Sequence, residues 1–295
     1  MRFSEIGEQL RQFRQESGLR AEEIAARIGV SRAALYRYEK GEVIKLDTVK
    51  RLAELLKISP LALLGVGIEY YSRSAGFLER LRQVEETADQ ILQVAGPVSY
   101  LTTSDAYDSA LTEAFAEVAE RTGPANQVAA LRASAEQVLG ILSLRKRTYL
   151  QRRPGIIALI SAPQVQQFLA DGIAGAIELP DRLRKRCRDL AAVEIEHIIS
   201  LMEAEPIGLQ FGLLPGPGPA GQFMVLRGRE HTTLALNPFR LDLHPLEPSG
   251  VSMITAAEEP VGAHQRAAEL LWQDAIKGAA AMARLREMLA AAASR

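Results

Sequence analysis

Apolar residues recur at helical spacing from the start of the chain. Ile6, Leu10 and Phe13 mark a first helix, Ile24, Ala25 and Ile28 a second, Leu35 and Tyr38 a third, and Val49, Leu52, Ala53 and Leu56 a fourth. The breaks between them carry turn chemistry. Gly18-Leu19 ends the first helix, Gly29 supplies a tight turn after the second, Ser31 is suited to cap the third and Asp47 the fourth. The stretch "KISPLALLG" closes the series as a short fifth helix. This pattern predicts a self-contained all-α domain over residues 1–67, whose third helix turns Arg32, Ala33, Tyr36 and Arg37 outward.

The pattern changes at residue 68. Tyr70, Phe77, Leu81, Val84, Ala88, Ile91 and Ala95 fit heptad spacing, with Ser74 as the polar seam position, and predict a linker helix over 68–95. Two readings of this stripe remain open: a coiled coil pairing two subunits, or a face packed on the C-terminal domain. From 96 to 295 strands and helices interleave. "GPVSYL" (96–101), "GIIALIS" (155–161), "IGLQFGLL" (207–214), "QFMVL" (222–226), "TTLAL" (232–236) and "VSMIT" (251–255) read as strands. Helical patterns cover about 105–121, 125–151, 163–171, 180–204 and 261–291. The alternation predicts an α/β domain with a mixed sheet. "PGPGPAG" at 215–221 reads as a turn between strands, implying at least one antiparallel pair. The last helix repeats a heptad-like stripe through Leu271, Ala275, Gly278, Met282, Leu285 and Leu289, a second candidate for dimer packing or for closing the α/β core.

The runs "IAARIGVSRAALYRYEKGE", "LDTVKRLAELLKIS" and "PLALL" give the first domain a family likeness. Residues 6 to 64 resemble the five-helix, repressor-type helix-turn-helix domain of the XRE family. The resemblance implies that Ala21 to Ile28 is the second helix and Ser31 to Tyr38 the recognition helix, lying in the major groove of double-stranded DNA. Carried over onto these positions, it places Arg32, Ala33 and Arg37 at base edges, Tyr36 near the backbone and Ser31 on a phosphate, with Arg20, Lys40 and Lys45 adding phosphate attraction. The residue types suit those roles: arginine forks onto guanine O6 and N7, and a methyl side chain can meet a thymine methyl. The chain departs from the family at Arg20-Ala21, where relatives carry Thr or Ser followed by Gln.

Charge agrees with this division. The whole chain carries a net charge of -1, but residues 1–68 hold 12 Lys+Arg against 9 Asp+Glu, roughly +3, leaving about -4 for the rest. A 295-residue chain with 47% apolar content can bury a sizeable core, and its single cysteine excludes an internal disulfide framework. With no charged-then-apolar leader and no bilayer-length apolar run, the expected location is the cytosol, with no membrane partner.

The C-terminal half lacks a catalytic motif. It has no G-x-S-x-G elbow, no phosphate-binding G-x-x-x-x-G-K-[ST] and no G-x-G-x-x-G joining strand to helix. Glu194 and His197 form a lone E-x-x-H, and without a second pair it reads as a structural histidine rather than a metal site. Cys187 shares a helical face with Ala191, Ile195, Ile198 and Met202, so a buried, inert thiol is expected. The basic runs "RKRTYLQRR" (145–153) and "RLRKRCR" (182–188) are solvated helix faces, an extension of the DNA contact, or a clamp for a small anionic effector, for which Arg152, Arg153, Arg182 and Arg186 are the candidates.

The expected protein is therefore a homodimeric, sequence-specific DNA-binding transcription regulator. It has no cofactor and no enzymatic activity, and it recognises a palindromic operator with half-sites roughly 34 Å apart. An effector or partner on the C-terminal domain would set the spacing of the recognition helices through residues 68–95. An enzyme tethered to DNA and a non-catalytic, antitoxin-like assembly module are the alternatives.

Overall fold

The computed structural model describes residues 3–56, 58, 60, 67–94, 96–121, 125–175, 177–219, 221–229, 231–239 and 250–294. They fall into two units, residues 1–69 with 255–257, and residues 70–254 with 258–295.

The first unit follows the apolar series, with helices α1 (Phe3–Glu16), α2 (Ala21–Ile28), α3 (Arg32–Glu39) and α4 (Leu46–Leu56). Leu10, Ile24, Ile28, Leu35 and Leu52 are its buried centre. Each side chain so buried stabilises by about 1.5–3 kcal/mol. Gly29 ends α2 with φ 72°, a left-handed conformation that only glycine adopts cheaply. Ser31 caps α3 as expected, its Oγ accepting the Ala34 amide at 3.1 Å. Asp47 does not cap α4; the helix begins at Leu46, and Asp47 lies in its first turn, where a carboxylate suits the helix dipole and pairs with Arg51. The segment expected to form a fifth helix falls almost wholly outside the described residues.

The second unit is built on a seven-stranded mixed sheet in the order β1-β7-β6-β5-β2-β3-β4. The strands are β1 (Ile68–Tyr71), β2 (Ala88–Val94), β3 (Gly155–Ser161), β4 (Leu209–Leu214), β5 (Gln222–Gly228), β6 (Thr232–Asn237) and β7 (Ser252–Thr255). β2, β3 and β4 run parallel, while β5 is antiparallel to both β2 and β6. Side-chain alternation splits the strands between two cores. Ile91, Ile156, Ile160, Phe211, Met224 and Leu226 face the larger one, whereas Val94, Leu159, Leu214, Phe223 and Val225 face the smaller. The larger core is closed by helices α5 (Ser74–Glu85), α6 (Asp105–Arg121), α7 (Ala125–Arg152), α8 (Ala162–Asp171), α9 (Asp181–Ala204) and α11 (Gly278–Ala293), the smaller by α10 (Glu258–Asp274).

Four sequence expectations change here. Residues 68–94 form strand, helix and strand rather than one linker helix. Phe77, Leu81 and Val84 sit on α5 as the spacing indicated, but Ile91 and Val94 belong to β2, a central strand with apolar contacts on both faces. Positions 84, 88 and 91 fit a helix only if the adjacent Leu92 is ignored. The stripe is thus spent on the chain's own cores, Tyr70 is exposed, and Ala95 lies outside the described residues. "GPVSYL" contains no strand; it leads into a single 3-10 turn, Tyr100–Thr102.

The "PGPGPAG" stretch does not join neighbouring strands. It leads from β4, at one edge, past β3 and β2 to β5, and is held by Ser161 Oγ donating to the Gly216 carbonyl (3.1 Å) and Gln164 Nε2 donating to the Pro217 carbonyl (3.3 Å). The single helix expected over 261–291 is two. Between α10 and α11, Ile276 exchanges backbone hydrogen bonds with Leu213 of edge strand β4 at 2.8 and 2.9 Å, carrying the chain round that edge from one face to the other. Leu285 and Met288 then enter the larger core, so this stripe also closes the α/β unit. No helix among the described residues is long and apolar enough to cross a membrane.

Candidate nucleic-acid interface

The exposed face of α3 is set by what its other face buries. Ala34 and Leu35 are buried and Tyr38 is half-buried, which leaves Ser31, Arg32, Ala33, Tyr36, Arg37 and Lys40 in solvent, each as the amphipathic pattern required. Gly29 and Val30 make the connection from α2, and the Val30 amide donates to the Ala25 carbonyl at 3.0 Å. The Ile28 carbonyl at the end of α2 accepts Arg51 Nη1 from α4 at 3.0 Å, tying the turn to the rest of the bundle. At the far end of α3, Glu39 takes a fork from Arg14 of α1, at 2.5 Å to Nε and 3.2 Å to Nη2, in a partly buried setting. This pair holds the recognition helix against α1 from behind, and its bidentate form makes it stronger than an ordinary surface pair.

The outward arginines are engaged within the protein itself. Arg32 lies 2.8 Å from Glu22 of α2, and its guanidinium stands 5.4 Å from the Tyr36 ring centre. Hydrogen bonding to the Tyr36 hydroxyl, then the charge of Glu22, raise the Arg32 pKa, so it is a permanent cation. Arg37 Nε lies 3.4 Å from Glu42. Both pairs are more than half exposed, and such pairs contribute little and exchange readily for other anionic partners. Arg32 and Tyr36 therefore form a preassembled cation-on-ring pair on the exposed face.

A carboxylate beside Arg32 would repel a phosphate backbone docked on this face, so the sign of its removal is predictable. Glu22→Gln is expected to raise affinity for DNA of any sequence by about two- to fivefold at low salt, with the gain shrinking as salt rises. A fluorescence-anisotropy titration at two salt concentrations checks this, and an unchanged affinity would place Glu22 away from the bound duplex.

Arg20 stands at the N-cap of α2 and supplies no acceptor, as a guanidinium cannot. The cap is completed from the other side: the Arg20 amide donates to Glu23 Oε2 at 3.0 Å, and this bond is the main cause of the lowered Glu23 pKa. The Arg20 side chain, 81% exposed, is thereby left to solvent, with only a distant 3.7 Å contact to Glu23. Lys45, exposed, precedes α4, and its carbonyl accepts the amides of Thr48 and Val49.

The arginines expected to clamp an anion are not brought together. Arg152 ends α7 beside Asp89 (3.9 Å) at the start of β2, Arg153 is exposed with φ 46°, and Arg182 and Arg186 lie exposed on the first turns of α9, the latter 3.1 Å from Glu113. They are solvated helix ends. In the same basic run, however, Arg145 and Lys146 are buried, a feature that the run itself does not reveal. Arg145 forks onto buried Glu85 of α5 at 2.9 and 2.7 Å, and Lys146 meets Asp108 of α6 at 2.7 Å.

Glu194 and His197 act as supports. Glu194, buried, accepts the Ser104 amide and hydroxyl (3.1 and 2.7 Å), and desolvation raises its pKa. His197 Nε2 lies 3.1 Å from the Thr102 carbonyl, so both anchor the segment entering α6. Cys187 is buried, and that burial raises its thiol pKa, as its helical face indicated. Among the described residues no cluster of three or more potential ligands could hold a metal ion.

Residues 5–64 match the family model described as a helix-turn-helix domain. The matched stretch spans α1 to α4 and includes every residue of the exposed α3 face, so it is a helix-turn-helix DNA-binding segment of XRE-like type. No curated protein and no solved structure matches the chain.

Proposed function

We propose that this protein is a sequence-specific transcription regulator that acts without catalysis. It binds a palindromic operator as a homodimer, and its α/β unit senses an effector. The observation that carries the reading is the exposed α3 face: Arg32, Ala33, Tyr36 and Arg37 are open to solvent on a helix capped by Ser31 and braced by the Arg14 and Glu39 pair. Arg37 and Arg32 take guanine edges, Ala33 a thymine methyl, and Ser31, Arg20, Lys40 and Lys45 the phosphates. One small helix offers few base contacts, and pairing two copies on a palindrome doubles them at fixed spacing. Most of the two heptad-like stripes packs into the chain's own cores, so the dimer uses other surfaces, and the effector does not act through a continuous linker helix.

Selection of bound sites from random DNA tests this with the full-length protein. A palindromic motif with half-sites about one helical turn apart is expected. Arg37→Ala is expected to flatten preference at one base pair of each half-site, an effect of about 1–3 kcal/mol per contact, while non-specific binding and its salt dependence stay close to wild type. Equal loss on every sequence would make Arg37 a phosphate contact. No enrichment by the wild-type protein would remove the sequence-specific reading.

A further inference from the structure

A cavity of about 270 Å³ opens where the strand order of the α/β unit reverses. After three parallel strands on one side, the chain returns to β5 on the other side of β2, leaving a crevice beyond the carboxyl end of β2. Open α/β sheets bind small molecules at such switch points. Gln93 of β2, Gln222 at the start of β5 and Asn237 at the end of β6 line it. The segment crossing from β4 to β5, pinned to Ser161 and Gln164, delivers Gln222 to the mouth.

The lining chemistry selects its occupant. The walls are largely apolar and aromatic, with the Tyr107 and Phe168 rings stacked at 29° and 6.5 Å. The cation among them, Arg145, is bound through two nitrogens to buried Glu85, and the carboxylate among them, Asp171, takes a hydrogen bond from neutral Gln167. No cation among the described lining residues is left to attract an anion, so an anionic ligand would lose hydration without compensation. Hydrogen-bonding capacity remains on the carboxamides. Among the described residues, Gln222 has no side-chain hydrogen-bond partner, Asn237 uses its oxygen on the Phe239 amide (3.0 Å) but not its N–H groups, and Gln164 uses an N–H on the Pro217 carbonyl but not its oxygen.

We infer that this cavity is a binding site for a small, planar molecule without negative charge that carries a hydrogen-bond donor and acceptor side by side, of the aromatic carboxamide or lactam class. The ring lies between Phe168, Tyr107 and the apolar wall, and the polar edge meets Gln222, Gln164 and Asn237. The volume falls just below the range of about 300–1,000 Å³ typical of drug-sized ligands, so the occupant is a single ring or a fused pair. This gives the proposed sensing role a site and a ligand class, and it does not depend on DNA recognition.

The test uses matched probes on the full-length protein without DNA. Saturation-transfer NMR and thermal unfolding are measured with nicotinamide, benzamide and 2-pyridone, and with the anions nicotinate and benzoate. Transfer and a concentration-dependent rise in Tm are expected from at least one neutral probe and from neither anion. Gln222→Leu and Gln164→Leu are each expected to weaken the neutral probe at least tenfold, whereas Gln166→Ala, exposed on α8 outside the cavity, leaves it unchanged. Binding of an anion as tight as that of its neutral partner, silence from all three neutral probes, or indifference to both leucine variants would each overturn the assignment. A protein that binds the neutral probes yet enriches no DNA site would retain the cavity assignment and lose the regulator reading.

Discussion

Glu85→Ala is expected to destabilise the α/β unit by about 3–5 kcal/mol, because it strands a buried guanidinium. Glu85 and Arg145 are 3% and 5% exposed, and their fork at 2.9 and 2.7 Å ties α5 to α7 on one side of the cavity. Attraction within the pair offsets the cost of dehydrating both charges; removing one leaves the other's cost in place. Arg145 also stands 5.5 Å from the Tyr100 ring centre, a contact too weak to replace a carboxylate. For a unit of this size the loss lowers Tm by roughly 6–20 °C. The double variant Glu85→Leu with Arg145→Met keeps apolar volume and removes both charges, and is expected to recover most of the loss. Calorimetry of wild type, Glu85→Leu, Arg145→Met and this double variant closes the cycle. If the double variant is as unstable as Glu85→Ala, the pair is not the cause and the packing of α5 on α7 is.

The same pair marks where sequence reading stops. The helix-turn-helix segment was legible because its signals are local: Gly29, Ser31 and the apolar faces each act within a few residues. The strands from 155 onward were legible for a similar reason, as β-branched runs bounded by glycine and proline. Glu85 and Arg145 are 60 positions apart, and nothing in "RKRTYLQRR" distinguishes its buried first two cations from its solvated last two. The stretch 68–95 misled because a central strand packed on both faces has no alternation to display. "PGPGPAG" misled because turn chemistry shows that the chain bends and not where it goes next. The cavity depends on that route, which is why the arginines singled out for ligand binding lie outside it while the carboxamides that line it carried no signal.

The recognition surface has its own non-local requirement, at Gly7 on α1. A Cβ there would stand 2.6 Å from the Glu39 carbonyl oxygen and 2.7 Å from both the Gly41 nitrogen and the Tyr38 carbonyl oxygen. All three are backbone atoms, so no side chain can move aside, and α1 must retreat from the end of α3. Gly7→Ala is expected to cost about 3 kcal/mol, the upper part of the range for overpacking, although alanine is otherwise the better helix former. The retreat also stretches the Arg14 to Glu39 fork, which needs close approach of α1 to α3. The recognition helix loses its brace, so binding is expected to weaken on specific and non-specific DNA alike, unlike the sequence-selective change from Arg37→Ala. Hydrogen exchange checks the cause: faster exchange is expected in α1 and α3, with the strands of the α/β unit unchanged. Wild-type exchange in α1 and α3 together with weakened binding would mean that Gly7 touches the DNA, and stability at the wild-type level would show that α1 packs further from α3 than these distances require.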